Sequence, residues 1–197
     1  MGRVEAFSDG VIAIILTIMV LDLKAPHDTT LAALLATAPA LLTYTLSFFV
    51  IAIMWINHHH LLHNARRPDA QLLWSNMVLL FWMSLIPLST RYLSDNQAAP
   101  IPVATYAANL VLTCCGFFWL IHVVGCHNVD DKALAAQYRK QLHKSKLSIL
   151  FYAAAIPLAF YSTKAALAIL VILPLLYFLP DRQLFKEEAP THSAGPQ

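Results

Sequence analysis

Charge is scarce in this chain. Asp, Glu, Lys and Arg make up 12% of its 197 residues and apolar types 58%, where soluble domains average about 25% and about 45 to 50%. A water-soluble core of this length cannot absorb so much apolar surface. Cysteine is equally sparse: Cys114, Cys115 and Cys126 form no paired framework, and the adjacent two sit in an apolar run as small hydrophobes, which excludes a disulfide scaffold. Five glycines leave no Gly-rich loop. A formal net charge of +2, with no basic run interleaved with aromatics, excludes nucleic acid as a partner. No nucleophile stands with a base and no metal set offers an open position, so an enzyme is not expected. Scattered serines and threonines read as backbone-bonded helix glue. A small-residue cleavage site is missing, and Glu5 and Asp9 interrupt the N-terminal stretch that follows Arg3, so the segment is expected to stay in the mature protein rather than act as a signal peptide. Ala6 stands where N-myristoylation wants Ser or Thr.

What the chain does have is apolar runs of membrane length. A helix needs about 20 residues to cross a bilayer core. Runs between polar breaks place helices near residues 4 to 23, 37 to 60, 72 to 93, 100 to 124, 146 to 162 and 164 to 180. The expected fold class is an all-α membrane protein with six transmembrane helices and no soluble domain, over residues 1–181. A polar cytoplasmic tail follows at 182–197, where Pro190 and Pro196 favour disorder. Helices five and six are short, contain Pro157 and Pro174, and are separated by only Tyr161 to Lys164, so a single kinked segment is the alternative there. Placing the N-terminus in the cytoplasm puts Arg3, Arg66, Arg67, Lys132, Arg139, Lys140, Lys144, Lys146, Arg182 and Lys186 inside and Lys24, Arg91 and Lys164 outside. That split obeys the positive-inside rule with both termini cytoplasmic. The polar stretch His127 to Lys146 reads as a basic cytoplasmic connector with helical character.

Polar groups inside a membrane helix cost up to about 2.5 to 3.5 kcal/mol at mid-bilayer, so they have partners or functions. The first helix holds several. Arg3, Phe7, Ser8 and Asp9 make the pattern Arg-x-x-x-Phe-Ser-Asp, followed by Gly10-Val11-Ile12-Ala13-Ile14-Ile15-Leu16-Thr17-Ile18-Met19-Val20-Leu21-Asp22. At 100° per residue, Phe7, Gly10, Ile14, Ile18 and Leu21 share one stripe with Thr17 at its margin, while Ser8 and Asp9 point elsewhere. Taken alone, such a stripe packs against neighbouring helices.

Residues 3 to 22 resemble the first helix of bacterial relatives of the lysosomal potassium channel, the transmembrane protein 175 family. Trp55, His58 and His59 on the second helix, Asn76 on the third and the six-span layout are similar to it as well. The resemblance implies a homotetramer in a bacterial plasma membrane that passively conducts K+ in preference to other cations. It implies a central path lined by the first helix, with Ile14, Ile18 and Leu21 facing it and Ile14 as the tightest ring. A ring of isoleucines gates by dewetting, because a narrow apolar bore holds no continuous water. With no Thr-Val-Gly-Tyr-Gly filter in the chain, selectivity would rest on ring diameter, on Thr17 hydroxyls or on Asp22 at the outer mouth. No cofactor is implied beyond permeant K+.

Asp9 and Ser8 should turn toward helices two and three, where Trp55, His58, His59 and Asn76 offer donors at one depth, in a buried network that orients the pore helix. Arg3 belongs to the same motif. The run His58-His59-His60 with His63 invites a metal reading through the i, i+4 pair His59 and His63, and His122 with Cys126 repeats the spacing. Without an acidic residue or a matched second pair, histidines at a helix end are the better account. A proton-coupled transporter using Asp9 and nearby histidines is the rival class, though no inverted repeat supports it. Trp74, Trp82 and Trp119, with Tyr44, Tyr92, Tyr106 and Tyr152, read as interface anchors and packing residues.

Overall fold

The computed structural model describes residues 2–65, 68–96, 99–128 and 132–178. Eight helices follow one another among them: α1 (Gly2–Leu21), α2 (Leu31–Ala36), α3 (Ala38–His63), α4 (Ala70–Ser84), α5 (Ile86–Asp95), α6 (Pro100–His127), α7 (Lys132–Tyr161) and α8 (Thr163–Phe178). Four helices of the described residues are long and apolar enough to cross a membrane: α1, α3, α6, and α4 with α5 taken together as Ala70–Asp95. The protein is an all-helical, multi-pass membrane protein.

Local chemistry sets the helix ends. Asp69 caps α4 by accepting the Leu72 N–H at 2.8 Å, and Thr30 caps the short α2 by accepting the Ala33 N–H at 3.2 Å. Proline stands in the first turn of α3, α5 and α6, where its missing N–H breaks no bond. The expected helix over 72 to 93 is interrupted at Leu85, because Pro87 cannot donate to the Met83 carbonyl and the chain restarts as α5. The loop expected before the second helix contains α2. The expected cytoplasmic connector is not separate from the fifth helix: both fuse into α7, whose basic first half lies along α6. Tyr138 packs on Gly125, and Ser145 donates to the Cys114 carbonyl at 3.4 Å, so α7 runs antiparallel to α6.

Of the six expected spans, α8 is described over 16 residues, Thr163–Phe178, and the chain that follows it lies outside the described residues. Arg66, Arg67 and the whole tail at 182–197 lie outside the described residues.

The core is centred on α6, which packs against α3, α4, α5, α7 and α8. Leu79, Met83, Ile86, Leu110, Leu120 and Ile121 are fully buried around it. Gly116 allows a close approach, since a Cβ there would sit 3.0 Å from the Leu79 Cα on α4. Helix α1 lies against α3, α4 and α5, at the edge of the bundle away from α7.

Candidate functional site along the first helix

Two faces divide α1. Ser8, Ile12, Ile15 and Met19 are buried against the bundle. Phe7, Gly10, Ile14, Thr17, Ile18 and Leu21 are exposed, with Ile14 at 59% and Leu21 at 81%. A Cβ on Gly10 would meet nothing within 4 Å. The 3.6-residue period places these groups on opposite sides of one cylinder. Thr17 stays on the open side with its hydroxyl donating to the Ile14 carbonyl at 2.9 Å.

At the N-terminal end of α1, three helices join through polar side chains. Ser8 Oγ donates to the Val4 carbonyl at 2.8 Å, which leaves the hydroxyl oxygen to accept from Asn76 Nδ2 at 2.9 Å. Asn76 Oδ1, thereby fixed as the acceptor, lies 2.7 Å from His58 Nε2. Nε2 therefore carries a proton. Ser8, His58 and Asn76 are all buried, and His58 Nδ1 is buried without a hydrogen-bond partner among the described residues. Asp9 stands outside this chain: its Oδ1 accepts the Trp55 indole N–H at 2.8 Å on the half-exposed flank of α3. The His59 ring is tilted against Trp55 with centroids 5.8 Å apart and stacks on His63 at 6.5 Å. Arg3 is exposed in the first turn of α1. No group of three or more His, Cys, Asp or Glu is placed to hold a metal among the described residues. His122 Nε2 and Cys126 Sγ lie 3.8 Å apart.

The C-terminal end of α1 holds a pairing that sequence reasoning missed. Asp22, just past the helix, meets Arg91 Nη1 of α5 at 3.1 Å, and Arg91 Nε also faces Asp95 at 3.5 Å. Asp22 and Arg91 are 69 positions apart, and no local pattern signals their contact. A second polar cluster was equally silent. Thr90 Oγ1, which donates to the Ile86 carbonyl at 2.7 Å, lies 2.7 Å from Ser47 Oγ, Ser47 lies 3.0 Å from the Tyr106 hydroxyl, and Asn109 donates to Ser89 at 3.1 Å. These buried groups tie α3, α5 and α6 together, so Tyr106 is a core residue rather than an interface anchor.

The chain matches known proteins along most of its length. A family model described as the endosomal/lysosomal potassium channel TMEM175 matches residues 3–87. A Chryseobacterium sp. protein named as a potassium channel is 38% identical over 186 residues, covering 94% of this chain and 96% of that one. One from Streptomyces collinus, also named as a potassium channel, is 34% identical over 187 residues, covering 89% and 90%. The crystal structure of a lysosomal potassium-selective channel TMEM175 homolog from Chamaesiphon minutus superposes with a TM-score of 0.81 at 26% identity, over 90% of this chain and 96% of that one. On a shared motif, a shared fold and identity that runs nearly end to end, this chain belongs to the TMEM175 family.

Proposed function

We propose that the chain is one subunit of a homotetrameric, potassium-favouring cation channel of a bacterial plasma membrane, with six spans and both termini cytoplasmic. Four copies place the open face of α1 around a common axis. Ile14 forms the tightest ring, Ile18 and Leu21 continue the apolar bore, and Thr17 adds hydroxyls at its margin. Conduction is passive, and the gate acts by excluding water from the isoleucine ring. The Ser8–Asn76–His58 chain, with Asp9 on Trp55, holds the rotation of α1 that keeps this face toward the axis.

The observation that carries this reading is the division of α1. One face is fastened to the bundle by Ser8, Ile12, Ile15 and Met19, while the opposite face, with Phe7, Ile14, Ile18 and Leu21, is left exposed among the described residues. One subunit presents a single helix of this kind and cannot enclose a path with it. The test is purified protein in planar bilayers with unequal K+ and Na+ on the two sides. A channel gives unitary currents that reverse near the K+ equilibrium potential. Ion flux without unitary currents, driven by a pH gradient, would instead identify a proton-coupled transporter.

A further inference from the structure

We infer that Arg91 sets the cation conductance of the pathway by neutralising Asp22 at its mouth. The inference rests on the pore reading of α1. An open groove of about 490 Å3 runs beside α1, with Ile14 and Ile18 on its wall and Asp22 and Arg91 at one end. The ion pair therefore stands at the end of the same face that carries the proposed constriction. Around the pair, Lys24 and Asp95 line a neighbouring cavity of about 230 Å3. The carboxylate that the sequence offers as a cation-attracting group is not free. Its Oδ1 is 3.1 Å from a guanidinium nitrogen, and that same guanidinium is shared with Asp95 at 3.5 Å.

Charge near a narrow entrance acts on permeation through the local concentration of ions, by an amount that salt screens. Asp22, Lys24, Arg91 and Asp95 together leave no net charge on each subunit, and symmetry repeats the cluster around the axis. Removing Arg91 leaves one negative charge per subunit; removing Asp22 leaves one positive charge. Both partners are partly exposed, at 50% and 31% of their side-chain surface, and exposed pairs add little to folding, so the variants assemble.

The experiment compares unitary K+ conductance of wild type, Arg91→Gln, Arg91→Lys, Asp22→Asn and the double variant Asp22→Asn/Arg91→Gln in planar bilayers. At about 0.01 M K+, where the screening length is about 30 Å, Arg91→Gln raises conductance on the order of twofold. Arg91→Lys, which keeps the charge, stays with the wild type. Asp22→Asn conducts less, and the double variant returns to the wild-type value. At about 1 M K+, where the screening length is about 3 Å, all five converge. The inference is overturned if Arg91→Gln conducts as the wild type does in dilute K+, or if its increase survives at about 1 M, the mark of a structural change in the bore. Either result leaves the pore reading standing. A wild type without unitary currents removes that reading, and this inference with it.

Discussion

At the scale of the residue, the chemistry of α1 separates what faces outward from what fastens it. Ile14 is 59% exposed within the subunit, so Ile14→Asn forfeits little packing in the protomer and, on the proposed pore reading, changes what the bore presents to water. An amide ring hydrates where an isoleucine ring dewets; K+ current in bilayers should rise, and an unaltered conductance would take the gate away from this position. Asn76 tests the opposite face. Asn76→Ala strips the acceptor from His58 Nε2–H and the donor from Ser8 Oγ in one step, and each buried polar group left unmade costs about 1–3 kcal/mol. The thermal unfolding midpoint of the purified channel should fall, whereas an unchanged midpoint would mean that water replaces the amide. Asp9 can be divided further. Asp9→Asn still accepts the Trp55 indole N–H and Asp9→Ala does not, so assembly or gating should suffer in the second and persist in the first. Full activity in both would leave Asp9 without a part in orienting the helix.

At the scale of the element, Gly116 marks a close crossing of α4 and α6. A Cβ at Gly116 would lie 3.0 Å from the Leu79 Cα and 3.3 Å from its backbone nitrogen, and backbone cannot rotate out of the way as a side-chain tip can. Gly116→Val forces the two helices apart, at a cost of about 1–3 kcal/mol for overpacking. A lower unfolding midpoint follows; an unshifted midpoint would mean the crossing relaxes freely. Element bounds were legible where apolar runs are long and cleanly punctuated. The expected helices at 4 to 23, 37 to 60 and 100 to 124 correspond to α1, α3 and α6 within a few residues. Pro87 was visible, but its effect on the third helix depends on the Met83 carbonyl, a contact that hydropathy does not weigh. The sequence reads Asp130, Asp131, Lys132, Arg139 and Lys140 as solvated; Lys132, Arg139 and Lys140 are exposed on α7, and Asp130 and Asp131 lie outside the described residues. Hydropathy ignores that such a helix can still bury one face, as α7 does with Tyr138 and Ser145. The Asp22–Arg91 pair and the Ser47–Thr90–Tyr106 cluster join helices distant in sequence, and no local period encodes such meetings.

At the scale of the whole molecule, α1 sits at the edge of its own bundle rather than at its centre, while α6 occupies the middle. A pathway built on α1 must therefore lie between subunits, and identical residues must face one another across the symmetry axis. This makes proximity of Ile14 to its own copies a sharper probe than mass alone. In a background where Cys114, Cys115 and Cys126 are replaced by Ala, Ile14→Cys should form inter-subunit disulfides on mild oxidation, because the proposed constriction brings side chains of adjacent copies within bonding reach. Ile172→Cys on α8 supplies the comparison: at 53% exposure it is nearly as open as Ile14, and its helix packs on α3, α6 and α7. Cross-linked dimers should appear on a non-reducing gel for Ile14→Cys and not for Ile172→Cys, while native mass spectrometry gives four times the 21.9 kDa subunit for both. If Ile14→Cys stays monomeric under oxidation while the native mass remains that of a tetramer, the copies assemble through another face and α1 does not line the axis.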